Sequence, residues 1–298
     1  SDVYKRQLLY AIANNFKETL GLKVCKSTKG YISEYSESYS ELSNNDKMYY
    51  TKYAIAIINC LSKYLEEQFE QKMCMFKMND EDSEVTHDFR IVCDDEEVIH
   101  LSMDYKKIGV NPIIPDRLMK LCGYNKNTNM YKEYTKNYNN ICKNIYKKIG
   151  SYDKYSELSD KQREKIIYRP MNELLINTIG GKKKCTEKLY EHVFPEGVNA
   201  NRIVIKWHKN RFIVYDFRTQ VDEIKSFKLS PFKSKSKQPE DDVRILYLTF
   251  KNGSKLEPQF ILTLNTNSTD INEHISLKYT IKLDNIDELF KIGGSSIQ

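Results

Sequence analysis

The sequence predicts a mixed α+β (α/β) architecture, and three patterns carry that prediction. Through much of the first two thirds, apolar residues recur at three- and four-residue spacing, the period of a helix with one buried face. One short stretch there alternates between apolar and polar residues instead, as strands do. From about residue 200 onward, short strand-like runs separated by turn residues replace the helical pattern. The expected organisation is a helical and hairpin-bearing part over 1–200 and a β-rich part over 201–298, packed together as one unit.

The first 40 residues hold an amphipathic segment (Leu8, Leu9, Ile12, Phe16, Leu20) and then a serine- and glutamate-rich connector, Ser33 to Ser40. A strong helix follows. Ser43 or Asn44 can cap it, and Tyr50, Ala54, Ile57, Ile58, Leu61, Leu65 and Phe69 form its apolar stripe. After the hairpin region, Asn111-Pro112 and Pro115 punctuate a loop leading to Arg117 and Leu118. The middle third is helical, with Tyr131, Tyr134, Tyr138, Ile141, Ile145 and Ile149 on one face. Ser159 opens a further helix with Gln162 as its capping partner, and the run from Met171 to Ile179 stops at Gly180-Gly181. The strands expected later are Ile203 to His208 and Arg211 to Phe217 around a Lys209-Asn210 turn, then Val243 to Phe250, Gln259 to Asn265 and Ser276 to Leu283.

The chemistry concentrates in Thr86 to Val92 and Val98 to Lys106, which read as a two-stranded hairpin around an acidic turn. Alternation sends Phe89, Ile91, Ile99, Leu101, Met103 and Tyr105 to one face, and Asp88, Arg90, His100, Ser102, Asp104 and Lys106 to the other. A tight pairing of Cys93 with Glu97 around Asp94-Asp95-Glu96 sets Asp88 across from Ser102. Asp104 is then its diagonal neighbour, roughly 7–8 Å away. Two carboxylates at that spacing suit Mg²⁺, a hard cation that keeps several waters and needs one or two protein acids. Such an ion lowers the pKa of a bound water, and the amine of Lys106 can orient that water and offset charge on the phosphorane. Asp88, Asp104 and Lys106 are therefore the candidate catalytic set of a metal-dependent phosphodiester nuclease. Asp-x-Lys is a short pattern in a chain with 30% charged residues, and a solvated strand face is the competing reading.

Composition narrows the classes. At 298 residues the chain can bury a substantial core, and its net charge of +6 permits nucleic-acid binding. Seven cysteines, odd in number and without a C-x-x-C pair, argue against a disulfide framework or zinc site and for a reducing cytoplasm. No apolar run approaches the ~20 residues of a membrane-spanning helix. Lys182-Lys183-Lys184 reads as a solvated loop with phosphate contact as its functional alternative, and Lys225 to Lys237 reads equally as a flexible arm on a DNA backbone or as a basic disordered loop. The five histidines have no ligand spacing, and Trp207 belongs to a core strand.

Several segments, in order, resemble the HaeIII-type restriction endonucleases across most of the chain. The helix from Tyr49 to Leu65 and the Asp88-Phe89-Arg90 strand look like the family's opening, and Leu101-Ser102-Met103-Asp104-Tyr105 with Asp116-Arg117-Leu118 resembles its "I-S-x-K-x-N … S-R-L" segment. Tyr155 to Lys161 and Tyr168-Arg169-Pro170-Met171 are similar to "W-x-E-L-x-D-K … Y-x-P-L". Phe260 to Ser268 and Ser276-Leu277-Lys278-Tyr279 resemble "S-F-R-I-H-N-A-S … S-L-K-F".

The resemblance implies a PD-(D/E)XK nuclease core with helical insertions, Mg²⁺ dependence, double-stranded DNA as substrate and a short palindromic target of the GGCC kind. It also implies a companion methyltransferase marking the same site, with the enzyme a monomer or homodimer. DNA-binding positions carried over are Arg117, with Lys120 close by, Thr263 and Asn265 at the family's Arg and His, and Lys278. Two departures stand out. The family's lysine position falls on Asp104, so either Lys106 supplies the amine or the chain lacks it. Thr263 and Asn265 also replace the side chains that would read guanine. The competing class is a non-catalytic DNA-binding protein on a degenerate nuclease scaffold.

Overall fold

The computed structural model describes residues 2–20, 23–24, 35–68, 74–78, 89–93, 96–105, 110–193, 202–217, 224–232, 242–252 and 257–298. In chain order these form α1 (Asp2–Leu20), β1 (Lys23–Val24), α2 (Asn44–Gln68), β2 (Cys74–Met78), β3 (Phe89–Cys93) and β4 (Glu96–Tyr105). Next come α3 (Pro115–Leu121), α4 (Asn129–Ile149) and α5 (Asp160–Arg163), which runs through a π turn (Glu164–Tyr168) into α6 (Arg169–Ile179). β5 (Gly181–Lys184), α7 (Glu187–Val193), β6 (Arg202–His208) and β7 (Arg211–Asp216) follow. The chain then continues as β8 (Ile224–Pro231), β9 (Ile245–Asn252), β10 (Gln259–Thr266), β11 (Leu277–Leu283), α8 (Ile286–Phe290) and β12 (Lys291–Ser296). Among the described residues no helix is long and apolar enough to cross a membrane.

Contacts divide the chain into two compact units. One comprises 1–109, 196–220 and 290–298; the other comprises 110–195 and 221–289. The first is built on a seven-stranded sheet in the order β1-β2-β3-β4-β6-β7-β12. Its helix α2 begins where the sequence expects. Ser43 Oγ accepts from Asp46 N at 3.1 Å and donates to the Asp46 carboxylate at 2.7 Å, so one serine satisfies a free helix-end amide. The stripe below the cap (Tyr50, Ala54, Ile57, Ile58, Leu61) is buried against Leu101 and Met103 of β4, Ile203, Ile205 and Trp207 of β6, and Phe212 and Val214 of β7. Leu8, Leu9 and Ile12 of α1 join the same core. Fully burying a side chain such as Ile57 or Leu61 contributes about 1.5–3 kcal/mol relative to exposure. β12 passes under α2 so closely that a Cβ at Gly293 would collide with Cys60 Sγ, so a side chain there requires Cys60 to shift. The β6–β7 hairpin turns through Lys209, whose φ of 52° lies in the left-handed region.

The second unit holds an antiparallel sheet in the order β11-β10-β9-β8-β5. One face is apolar (Phe227, Leu229, Leu248, Phe250, Phe260, Leu262) and fully buried. Helices close over it: Tyr190 of α7 meets Phe250 edge to face at 4.9 Å. Asn172 of α6 donates to Val243 O at 2.6 Å and accepts from Tyr279 OH at 2.6 Å. Ile113 exchanges backbone hydrogen bonds with Tyr279 along the free edge of β11. Thr128 caps α4 by accepting from Tyr131 N at 3.3 Å. Ser159 and Gln162 form the expected capping box at 3.2 and 2.9 Å.

Several expectations change. Tyr35 to Ser40, read as connector, is helical. The hairpin turn is tighter by one residue: Cys93 pairs with Glu96 rather than Glu97, and a bulge between Ile91 and Val92 absorbs the shift. Ser102, assigned to a solvated face, is 1% exposed. β4 is an interior strand whose parallel neighbour β6 buries Ile203, Val204 and Ile205 consecutively, the pattern of a sheet covered on both faces. Lys182 to Lys184 form strand β5, and Ile224 to Pro231, overlapping the basic arm, form β8; hydrogen bonding to each other and to β9 orders both. The two units also interleave the parts expected on either side of residue 200, because β6 and β7 extend the hairpin's sheet.

Candidate active site

The hairpin's first three rungs have the register the sequence reading requires: Phe89 faces Leu101, Arg90 faces His100 and Ile91 faces Ile99. Asp88 and Lys106 lie outside the described residues. Asp104 is placed by its backbone near the end of β4, where its partner across the parallel β4–β6 ladder is Lys206. Lys206 is half-buried, and its Nζ stands 5.8 Å from the centroid of the Tyr215 ring, a cation–π distance. Sequence reasoning missed Lys206. It sits about 100 positions from Asp104 in a run read as core strand, and only the long-range pairing makes them neighbours.

Among the described residues, no group of three or more His, Cys, Asp and Glu is arranged to hold a metal ion. The Mg²⁺ expectation therefore rests on the hard-oxygen chemistry of Asp88 and Asp104 in the sequence.

The positions carried over for DNA contact fall in two places within the second unit. Arg117 is exposed on α3. Lys120, one turn on, is held by Asp116 at 2.7 Å and lies 6.0 Å from the centroid of the Tyr131 ring. Tyr131 OH also donates to Asp116. Burial raises the Asp116 pKa, but the hydrogen bonds from Lys120 and Tyr131 outweigh it and hold the carboxyl below its usual value. Lys120 is thus already engaged within the protein.

Thr263, Asn265 and Lys278 come together on one sheet face. Thr263 pairs with Thr280 and Asn265 with Lys278, while Leu262, Leu264, Leu277 and Tyr279 fill the opposite face. Asn265 Nδ2 donates to Thr263 O at 3.0 Å and to Thr280 Oγ1 at 3.4 Å. These are amide, hydroxyl and ammonium groups able to bind phosphates or base edges. Lys182, Lys228 and Lys282 belong to the same face and were not singled out from sequence as a group; their strand alternation was the available signal.

This chain is 99% identical over 294 residues to an uncharacterized protein of Acanthamoeba polyphaga mimivirus, with 99% of each chain covered. No protein-family model matches it. Among solved structures it is similar to HhaI endonuclease in complex with DNA, at 10% identity and a TM-score of 0.20, over 79% of this chain and 94% of that one. A likeness that slight carries no argument about fold or function.

Proposed function

We propose that this chain, which belongs to the same family as the uncharacterized mimivirus protein, is a Mg²⁺-dependent endodeoxyribonuclease with a PD-(D/E)XK-type core. In this reading it cuts double-stranded DNA at a short palindromic target, as a type II restriction endonuclease does, and a companion methyltransferase protects host DNA. The observation that carries the reading is the ladder from Phe89/Leu101 to Ile91/Ile99, the register that a shared face for the two acids requires. Asp88 and Asp104 would hold the ion, which when bound supplies a water of lowered pKa and an electrophilic contact to phosphate. Lys106 is assigned the amine that positions this water. Lys206, on the rung beside Asp104, is the second candidate for that role.

The test is relaxation and linearisation of supercoiled plasmid with Mg²⁺. The wild-type chain gives discrete fragments, and Asp104→Asn gives none. Lys106→Ala and Lys206→Ala assign the amine: the one that loses cutting while retaining DNA binding supplies it. A wild-type chain that shifts DNA on a gel without cutting it would refute catalysis and favour the second reading, a DNA-binding protein on a nuclease scaffold. The lysine-bearing sheet face of the second unit is the observation on that side.

A further inference from the structure

The five strands β5, β8, β9, β10 and β11 contain no Asp or Glu. Alternation gives most of their apolar residues to the covered face and leaves the other face to lysines and neutral polar groups, with Ile245, Tyr247 and Ile261 half-buried among them. Lys182 of β5 sits directly across from Lys228 of β8. Like charges so placed repel, and an arrangement of this kind becomes favourable when an anion lies over it. Among the described residues none of Lys182, Lys184, Lys228, Lys278 and Lys282 forms an ion pair. Lys251, on the same face, is held by Glu257 at 3.4 Å.

The charges form two rails. Lys182, Lys184 and Lys228 line the β5–β8 side, and Lys278 and Lys282 line β11 at the other edge. Between them β10 contributes Gln259, Ile261, Thr263 and Asn265, none of them charged. At roughly 4.8 Å per strand spacing, β8 and β11 are about 14 Å apart, and β5 and β11 about 19 Å. A B-form major groove is about 12 Å wide between its phosphate walls and admits β-structure.

From this geometry we infer that the open face of the second unit's sheet binds double-stranded DNA, its two phosphate strands on the two lysine rails and a groove over β10. The choice of polymer rests on the reading that the chain acts on DNA; the site itself does not depend on cleavage. A single strand would call for aromatic rings spaced along the face. Here Phe232 and Tyr247 instead pack on each other, with ring centroids 5.3 Å apart. An A-form RNA duplex has a major groove too deep and narrow for strand side chains to read. Lysines act as point charges without base preference, so the rails set affinity and register, and β10 faces the bases.

The experiment is titration of a short labelled DNA duplex with the full chain in EDTA, followed by fluorescence anisotropy between about 50 and 200 mM salt. Five lysine–phosphate contacts at a slope of about −0.9 each predict an affinity loss of about 500-fold over that range. Lys182→Ala/Lys228→Ala, and separately Lys278→Ala/Lys282→Ala, each reduce the loss to about 40-fold. Lys278→Arg/Lys282→Arg restores the wild-type slope, and Lys147→Ala/Lys148→Ala on α4 leaves it unchanged. Slopes in either rail variant equal to the wild type's overturn the proposal, as does an equally lysine-dependent affinity for a single strand. Plasmid cutting is scored separately with Mg²⁺. Lysine-dependent binding without cutting leaves this face standing and removes the nuclease reading, whereas cutting with unmoved slopes does the reverse.

Discussion

Replacing Tyr279 by Phe tests how the lysine-bearing sheet is anchored to the helices beneath it. Tyr279 is fully buried, and its hydroxyl donates to Asn172 Oδ1 at 2.6 Å. Asn172 is itself 4% exposed and spends its amide on Val243 O. Tyr279→Phe preserves the ring packing but leaves Asn172 Oδ1 buried without its donor. The cost of such an orphaned acceptor is about 1–3 kcal/mol. For a cooperative unit of roughly 150 residues, about 2 kcal/mol lowers Tm by about 4–8 °C. Asn172→Ala breaks the same bond from the other side, so the double variant is less destabilised than the two single losses combined by about 1 kcal/mol. Burial also raises the Tyr279 pKa well above its usual value. The fold favours the neutral phenol, so this contribution is intact below about pH 10 and is lost as pH rises further; Tyr279→Phe flattens that alkaline loss. Thermal melts of the four chains decide the matter. A Tm for Tyr279→Phe within about 1 °C of wild type, or strict additivity in the double variant, refutes the coupled network.

Two further outcomes follow from local geometry. Lys209 sits at φ 52°, where a side chain costs roughly 1 kcal/mol and glycine costs no steric strain. Lys209→Gly therefore leaves Tm unchanged or slightly higher, whereas Lys209→Val lowers it, as scanning calorimetry can check. His192 Nε2 is buried without a hydrogen-bond partner among the described residues. Burial first, and then the charge of Arg117, lower its pKa against a backbone hydrogen bond at Asn111. The fold thus favours neutral imidazole, and stability present above about pH 6.5 declines as pH falls below it. His192→Gln flattens the difference between melts at about pH 7.5 and about pH 5.5.

Elements whose causes are local were legible in the residues alone. Ser43 and Asp46, Ser159 and Gln162, and the Lys209-Asn210 turn each act over four residues or fewer, and the α2 stripe needs only helical period to be recognised. Their partners are a turn away in the chain, so no distant segment decides their conformation.

Tertiary structure alone decided what depends on a neighbour strand. Ser102 is 1% exposed, and its place in an interior strand comes from pairing with Val204 of β6, about 100 residues downstream. The same ladder set Lys206 beside Asp104. Lys182 to Lys184 carry no strand signal strong enough to outweigh their charge; hydrogen bonding to β8 made them an edge strand and opposed Lys182 to Lys228. Alternation tells which residues share a face of one strand, but only long-range pairing, with its hydrogen bonds and its buried apolar face, sums those faces into a surface.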